Sequence, residues 1–312
     1  MRYGMPYKGS KNSIAAEIIS ILPAAKHFYD IFGGGGAMTH AAALSGKYQY
    51  IHYNELNPLI CKGFKMAVNG EFKNERRWIS REYFHAHKSD DPYVAICWSF
   101  GNNLRSYLYS KELEPLKKAV HYARIYNSYC LLHELGIAEP SRAEPSRAEP
   151  SRAEHIERLI RLRELGEIPG DGVRLQHIER LIRLREIGEV PGDGVRLQAI
   201  EARDRLLTLQ EFTGNNIIIT CGDYRDLEFE SDAVIYADPP YRGTDQYGAE
   251  FDSDAFITWA EKQKPPVYVS EADYIDRWDI VWSKQKQELM CVGGHKKRTE
   301  ILYRVVKNEG NI

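Results

Sequence analysis

The chain of 312 residues is long enough for one large domain or two ordinary ones, and its 43% apolar residues can furnish a sizeable core. A formal net charge of −2 excludes a global pull toward nucleic acid or membrane, so a polyanionic partner must be gripped by a local basic patch. The five scattered cysteines form no CxxC pair, and the ten histidines have no ligand spacing, so neither a disulfide framework nor a metal site is expected and a reducing cytoplasm fits best.

The first stretch, MRYGMPYKGSKN, is polar and has no apolar signal core. NSIAAEIISILP then carries Ile14, Ile18, Ile21 and Leu22 at helical spacing. HFYDIF reads as a short buried strand, GGGG as a turn, AMTHAAALSG as a helix closed by Gly46, and YQYIHYNE as the next strand. Strand, glycine turn, helix and strand make a βαβ unit with a parallel pair. From 71 to 137 the chain is mixed and aromatic, and YVAICWSFGNNLRSYLYS stands out for its rings, two Asn and one Arg.

Residues 139–154 repeat proline every five positions (Pro140, Pro145, Pro150), which prevents a continuous helix and predicts a solvated spacer. Two tandem 22-residue units follow at 155–198 and differ only at Leu165/Ile187 and Ile168/Val190. Each opens with a helical pattern and breaks at PGDG. AIEARDRLLTLQ resembles a third, diverged helix.

After 215 the α/β rhythm returns. NIIITCGDY and AVIYADPPY read as strands, DSDAFITWAEKQ as a helix capped by Asp252 or Ser253, and PVYVSEA, DIVWSK and TEILYRVV as further strands. The expected architecture is one α/β domain made of 1–70 and 211–312, split by an inserted, mainly helical region at 71–210.

The chemistry gathers at three strand ends. The glycine turn after HFYDIF lets backbone approach a ligand closely, yet Met38 stands where the last glycine of a GxGxxG pattern belongs, which argues against an ordinary dinucleotide site. Glu55 lies 20 residues after Gly35, where a carboxylate suits ribose hydroxyls. In ADPPY, Asp238 offers an acceptor, Pro239 and Pro240 stiffen the loop and leave their carbonyls available, and Tyr241 offers a face on which a base can stack. Two acceptors beside a ring suit an aromatic exocyclic amine, a poor nucleophile that gains from alignment.

These residues resemble the Dam-type family of AdoMet-dependent N6-adenine DNA methyltransferases. PYKGSK (6–11), FGGGG (32–36), CGDY (221–224), DPPY (238–241) and KRTEILYRV (297–305) are similar to the family's motifs and follow its order, with target recognition between the glycine motif and DPPY. The resemblance implies a Rossmann-like, mostly parallel methyltransferase sheet whose inserted recognition region here carries the tandem repeats, which are foreign to the family pattern. It implies S-adenosylmethionine (AdoMet) held by Tyr7, Lys11, Asp30, Phe32, Gly33, Gly35, Glu55, Asp223, Tyr224 and Asp238, and a flipped adenine held by Asp238, Pro239, Pro240 and Tyr241. The implied partner is double-stranded DNA, with a cognate restriction endonuclease as a candidate, in a prokaryotic or phage-encoded cytoplasmic protein.

Other readings compete at individual positions. Without the resemblance, Lys8 and Lys11 read as ordinary surface lysines. Asn102, Asn103 and Arg105 suit base edges or a plain polar loop. Lys296, Lys297 and Arg298 suit phosphates or a solvated patch. Against DNA adenine methylation stand a methyltransferase acting on RNA or a protein amide, and a decayed DNA-binding scaffold.

Overall fold

The computed structural model describes residues 3–136, 197–212, 216–240, 251–272, 274–287 and 297–307, with backbone only at 211, 212, 286, 287, 297 and 298. The spacer at 139–154, the repeats up to residue 196, Tyr241 and Lys296 lie outside these residues. Contacts divide the chain into two compact units, one of Met1–Glu75, Ile79–Tyr107 and Ala199–Ile312, the other of Arg76–Trp78 and Leu108–Gln198.

The first unit carries a seven-stranded sheet in the order β3-β2-β1-β4-β5-β7-β6. Its strands are β1 (His27–Asp30), β2 (Tyr50–Glu55), β3 (Asn216–Cys221), β4 (Ala233–Ala237), β5 (Val267–Glu271), β6 (Asp279–Gln287) and β7 (Lys297–Arg304). The strands from β3 to β5 are parallel to one another, and β7 runs antiparallel to both β5 and β6. The expected mostly parallel, Rossmann-like sheet is borne out. What the strand patterns left open is the insertion of β7 between β5 and β6. Every residue of β4, AVIYA, is buried, as befits a central strand covered on both faces.

Helix α1 (Ala15–Ile21) buries Ile18 and Ile19, with Ile14 and Leu22 buried at its ends; Ile21, one of the residues that mark its spacing, is exposed. The glycine turn leads into α2 (Ala37–Ser45), which ends at Gly46 in the left-handed conformation, as the sequence predicts. Asn57 caps α3 (Pro58–Val68) by accepting from Leu59 and Ile60 backbone N–H groups. Two short helices, α4 (Arg81–His87) and α5 (Pro92–Cys97), fall in the same unit, within the stretch that the sequence assigns to the inserted region.

The second unit contains α6 (Glu114–Tyr126) and α7 (Cys130–Glu134). The Trp78 ring lies parallel to Tyr109 at 5.8 Å and edge-on to His121 at 5.4 Å. The His121 ring and the Tyr126 hydroxyl both lie 2.9 Å from the Arg76 carbonyl.

The diverged third helix is α8 (Gln198–Leu207). Helix α9 (Ser253–Glu261) is capped by Asp252, which accepts from the Ala255 N–H at 2.9 Å. No helix among the described residues is long and apolar enough to cross a membrane.

Candidate active site

The sheet order turns at β1 and β4: successive strands run outward to β2 and β3 on one side and to β5 on the other. A crevice opens at such a switch point beyond the carboxyl ends of the strands, where ligands of open α/β sheets bind. The glycine turn follows β1, and Asp238 follows β4, its hydrogen-bonded neighbour. Glu55 ends β2 and Cys221 ends β3, so every strand-end motif named by the sequence reaches this one edge.

The turn has a tightly filled back. A Cβ on Gly33 would stand 2.2 Å from the Tyr53 ring, and one on Gly36 the same distance from the Phe64 ring. Those two rings are stacked at 4.0 Å, and the Tyr53 hydroxyl donates to the Gly34 carbonyl at 2.8 Å. A Cβ on Gly35 would fall 2.7 Å from Tyr7 Cβ, so the missing side chain admits the N-terminal segment. The Met5 N–H donates to the Gly35 carbonyl at 2.6 Å.

That segment is clamped from behind. One Arg205 nitrogen donates to the carbonyls of Tyr3, Gly4 and Met5 at 3.1–3.3 Å. The Gly4 N–H donates to His40 Nδ1 at 2.9 Å, and burial holds the His40 imidazole neutral, with its pKa lowered to about 4. Neither residue carries a signal in the sequence, because each partner is tens to hundreds of positions away.

Three carboxylates line the first strand ends. Asp30 is buried and accepts from the Thr39 hydroxyl at 2.7 Å and its N–H at 3.1 Å; burial outweighs those bonds and raises its pKa to about 7. Glu55 accepts from the Gly34 and Asn57 N–H groups, each at 2.8 Å, while burial pushes its pKa up. The Glu55 carboxylate therefore fixes the glycine turn. Asp223 is forked by Arg225, at 2.9 and 2.6 Å, which holds its carboxyl below the usual range. Phe32 and Tyr224 lie 5.0 Å apart, and Tyr224 sits edge-on to Trp259 in the aromatic core beneath the site.

Lys11 closes the crevice. Its ammonium donates to Asp238 Oδ1 at 2.6 Å and lies 3.1 Å from Glu300 Oε1 on β7. Lys11 is 4% exposed, which overturns the surface-lysine alternative. Burial alone would lower its pKa, but the two carboxylates outweigh it and hold the pKa above the ordinary value. Glu300, itself buried, lies in the KRTEILYRV pattern but gave no sign of a site in the sequence, because its partner is at the opposite end of the chain.

Beyond Asp238, Pro239 is buried and Pro240 half-buried. Pro239 lines a cavity of about 360 Å³ together with Phe251, Phe256, Glu271, Tyr274 and Trp278.

The proposed DNA residues are less easily assigned. Asn103 Oδ1 accepts from the Arg105 and Ser106 N–H groups at 2.8 and 2.9 Å, and the Asn102 amide donates to the Ile96 carbonyl at 3.3 Å. Both amides thus shape their own loop, while Arg105 is exposed. The side chains of Lys297 and Arg298 lie outside the described residues, as does Lys296. Among the described residues no group of three or more His, Cys, Asp and Glu is placed to hold a metal ion.

The strand order and the glycine crevice are those of a Rossmann-like α/β domain. Residues 7–131, under half of the chain, match the model of the family described as D12 class N6 adenine-specific DNA methyltransferase. The match bears out the resemblance read from the motifs and supports an adenine-specific DNA methyltransferase. It takes in Tyr7, Lys11, Asp30, the glycine turn and Glu55; Asp238 and Glu300 lie outside it and are joined to it through Lys11. A solved structure described as "Putative methyltransferase yhhF from Escherichia coli" aligns with a TM-score of 0.35 at 10% identity, covering 98% of this chain and 92% of that one. No curated protein sequence matches.

The residues present suit the sulfonium cofactor that methyltransferases use. The glycine turn offers backbone without side chains, the Glu55 carboxylate bonds to it, and part-exposed Asp238 follows the neighbouring strand, an acidic lining that suits a cation.

Proposed function

We propose that the protein transfers a methyl group from AdoMet to the exocyclic N6 amine of adenine in double-stranded DNA, with the target base swung out of the stack. The observation that carries this reading is the Lys11–Asp238 bond, which joins the segment beside the glycine turn to the acid of DPPY. Tyr7, the glycine turn and Glu55 would hold AdoMet, which supplies an electrophilic methyl group when bound.

The rest is done by the chain. Asp238 and the Pro239 carbonyl accept the two amine hydrogens, which turns the nitrogen lone pair out of conjugation and toward its target. The Asp238 carboxylate takes the proton that the amine sheds. Lys11 holds Asp238 in place until then. A paired base cannot reach these groups from within a duplex, so extrusion is required, at a cost of a few kcal/mol. The cavity beside Pro239, with Phe251, Tyr274 and Trp278 on its wall, offers a place and stacking faces for the base. Tyr241 adds a further ring on the sequence reading alone.

Incubation with methyl-labelled AdoMet and adenine-containing duplex DNA, followed by digestion to nucleosides, tests the proposal. N6-methyladenine as the labelled product is expected. Label found only in RNA or in protein amides would replace this reading with another substrate, and AdoMet binding with no transfer to any of them would make the chain a scaffold.

A further inference from the structure

We propose that Glu300 is a positioning residue for methyl transfer: from β7 it fixes the Lys11 ammonium, and through it the Asp238 carboxylate. The inference rests on the function proposed above and deepens it. Asp238 lies in a loop just past β4, with its side chain 21% exposed, and so has little regular structure of its own to hold it. Lys11 is on a four-carbon stem, a compact charge that one partner alone would leave free to swing. Glu300 supplies a second partner from β7. It sits mid-strand, its backbone paired with Lys284 of β6, and its side chain is 7% exposed. Two carboxylates on one buried ammonium hold it more firmly than either would alone. The rigidity of the sheet is thereby passed to the one loop that must hold the amine.

The charge balance points the same way. Glu300 adds a second carboxylate to the Lys11–Asp238 pair, and it is buried. Burying an extra carboxylate is costly, and packing alone would be met equally well by an apolar residue. Lys284 is turned away to Glu17.

Glu300→Gln keeps the size and an acceptor oxygen but removes the charge, and Glu300→Asp keeps the charge on a shorter stem. Three quantities are measured on the full chain: the single-turnover methylation rate with saturating AdoMet and DNA, the KM for DNA, and acetylation of Lys11 by acetic anhydride in the cofactor-free protein, read by mass spectrometry. For Glu300→Gln, Lys11 labelling is expected to rise severalfold and the rate to fall about tenfold, within what displacing a reacting group costs. The KM for DNA is expected to stay within about threefold, and Glu300→Asp to recover part of the rate. A rate within about twofold of wild type, labelling no greater than in wild type, or equal rate losses in the Gln and Asp variants would each overturn the positioning role. Wild-type protein that transfers no methyl to DNA would instead overturn the function on which it rests.

Discussion

Lys11 and Asp238 stand 227 positions apart and meet through a 2.6 Å bond that joins the N-terminal motif to the end of β4. Removing the ammonium leaves two carboxylates, Asp238 and buried Glu300, without their shared counter-charge. Lys11→Met is therefore expected to lower stability by about 3–5 kcal/mol, the usual cost of an uncompensated buried charge, and to weaken AdoMet binding. Thermal melting and calorimetric titration check both. A variant that melts and binds as wild type does would mean that the bond contributes nothing.

The glycines differ in what surrounds them, and that yields a paired prediction. Gly36 and Gly46 both have left-handed backbone, at φ +69° and +68°. A Cβ on Gly36 meets the Phe64 ring, whereas nothing lies within 4 Å of one on Gly46. Gly46→Ala should cost only the backbone strain, about 1–2 kcal/mol. Gly36→Ala should add overpacking of about 1–3 kcal/mol and disturb the glycine turn. Chemical denaturation of the two variants measures the difference; equal losses would show that the ring stack yields.

Asp30 makes stability depend on pH in a predictable direction. Its pKa rises on folding from the model-peptide range to about 7, so the folded state binds the extra proton between about pH 4 and pH 7. The stabilisation from this group is full below its unfolded pKa and is lost as pH rises through about 7. Asp30→Asn keeps an oxygen for the Thr39 hydroxyl and does not titrate. Its melting temperature relative to wild type is expected to climb between pH 4 and pH 8, as followed by circular dichroism. A difference that stays flat would mean that Asp30 is ionised throughout.

Tyr241 is assigned from its place in DPPY alone. If its ring stacks on the base, Tyr241→Phe should be mild and Tyr241→Ala should weaken DNA binding by about 1–3 kcal/mol. Equal losses in fluorescence-anisotropy titrations would point to the hydroxyl.

Much of the fold was legible in the sequence because local signals agreed with one another. The run of Ile and Val, the glycine turn and the Gly46 stop each report their own surroundings. The order of β7 between β5 and β6 was not, since antiparallel pairing of distant segments leaves no local mark. At the site, Asp238 and the glycine turn were found by their positions at strand ends. Glu300 was not, because a mid-strand glutamate reads as a solvated face until Lys11 is placed opposite it. Asn103 illustrates the reverse: an amide suited to a base edge spends its acceptor on two N–H groups of its own turn.

The most direct test of the whole account is the single-turnover rate of N6-methyladenine formation in duplex DNA by Asp238→Ala beside wild type, with AdoMet affinity measured on the same samples. The account predicts transfer by wild type, none detectable by the variant, and weaker AdoMet binding in the variant. A variant that kept a tenth of the wild-type rate, a barrier change of only about 1.4 kcal/mol, would contradict the role given to Asp238.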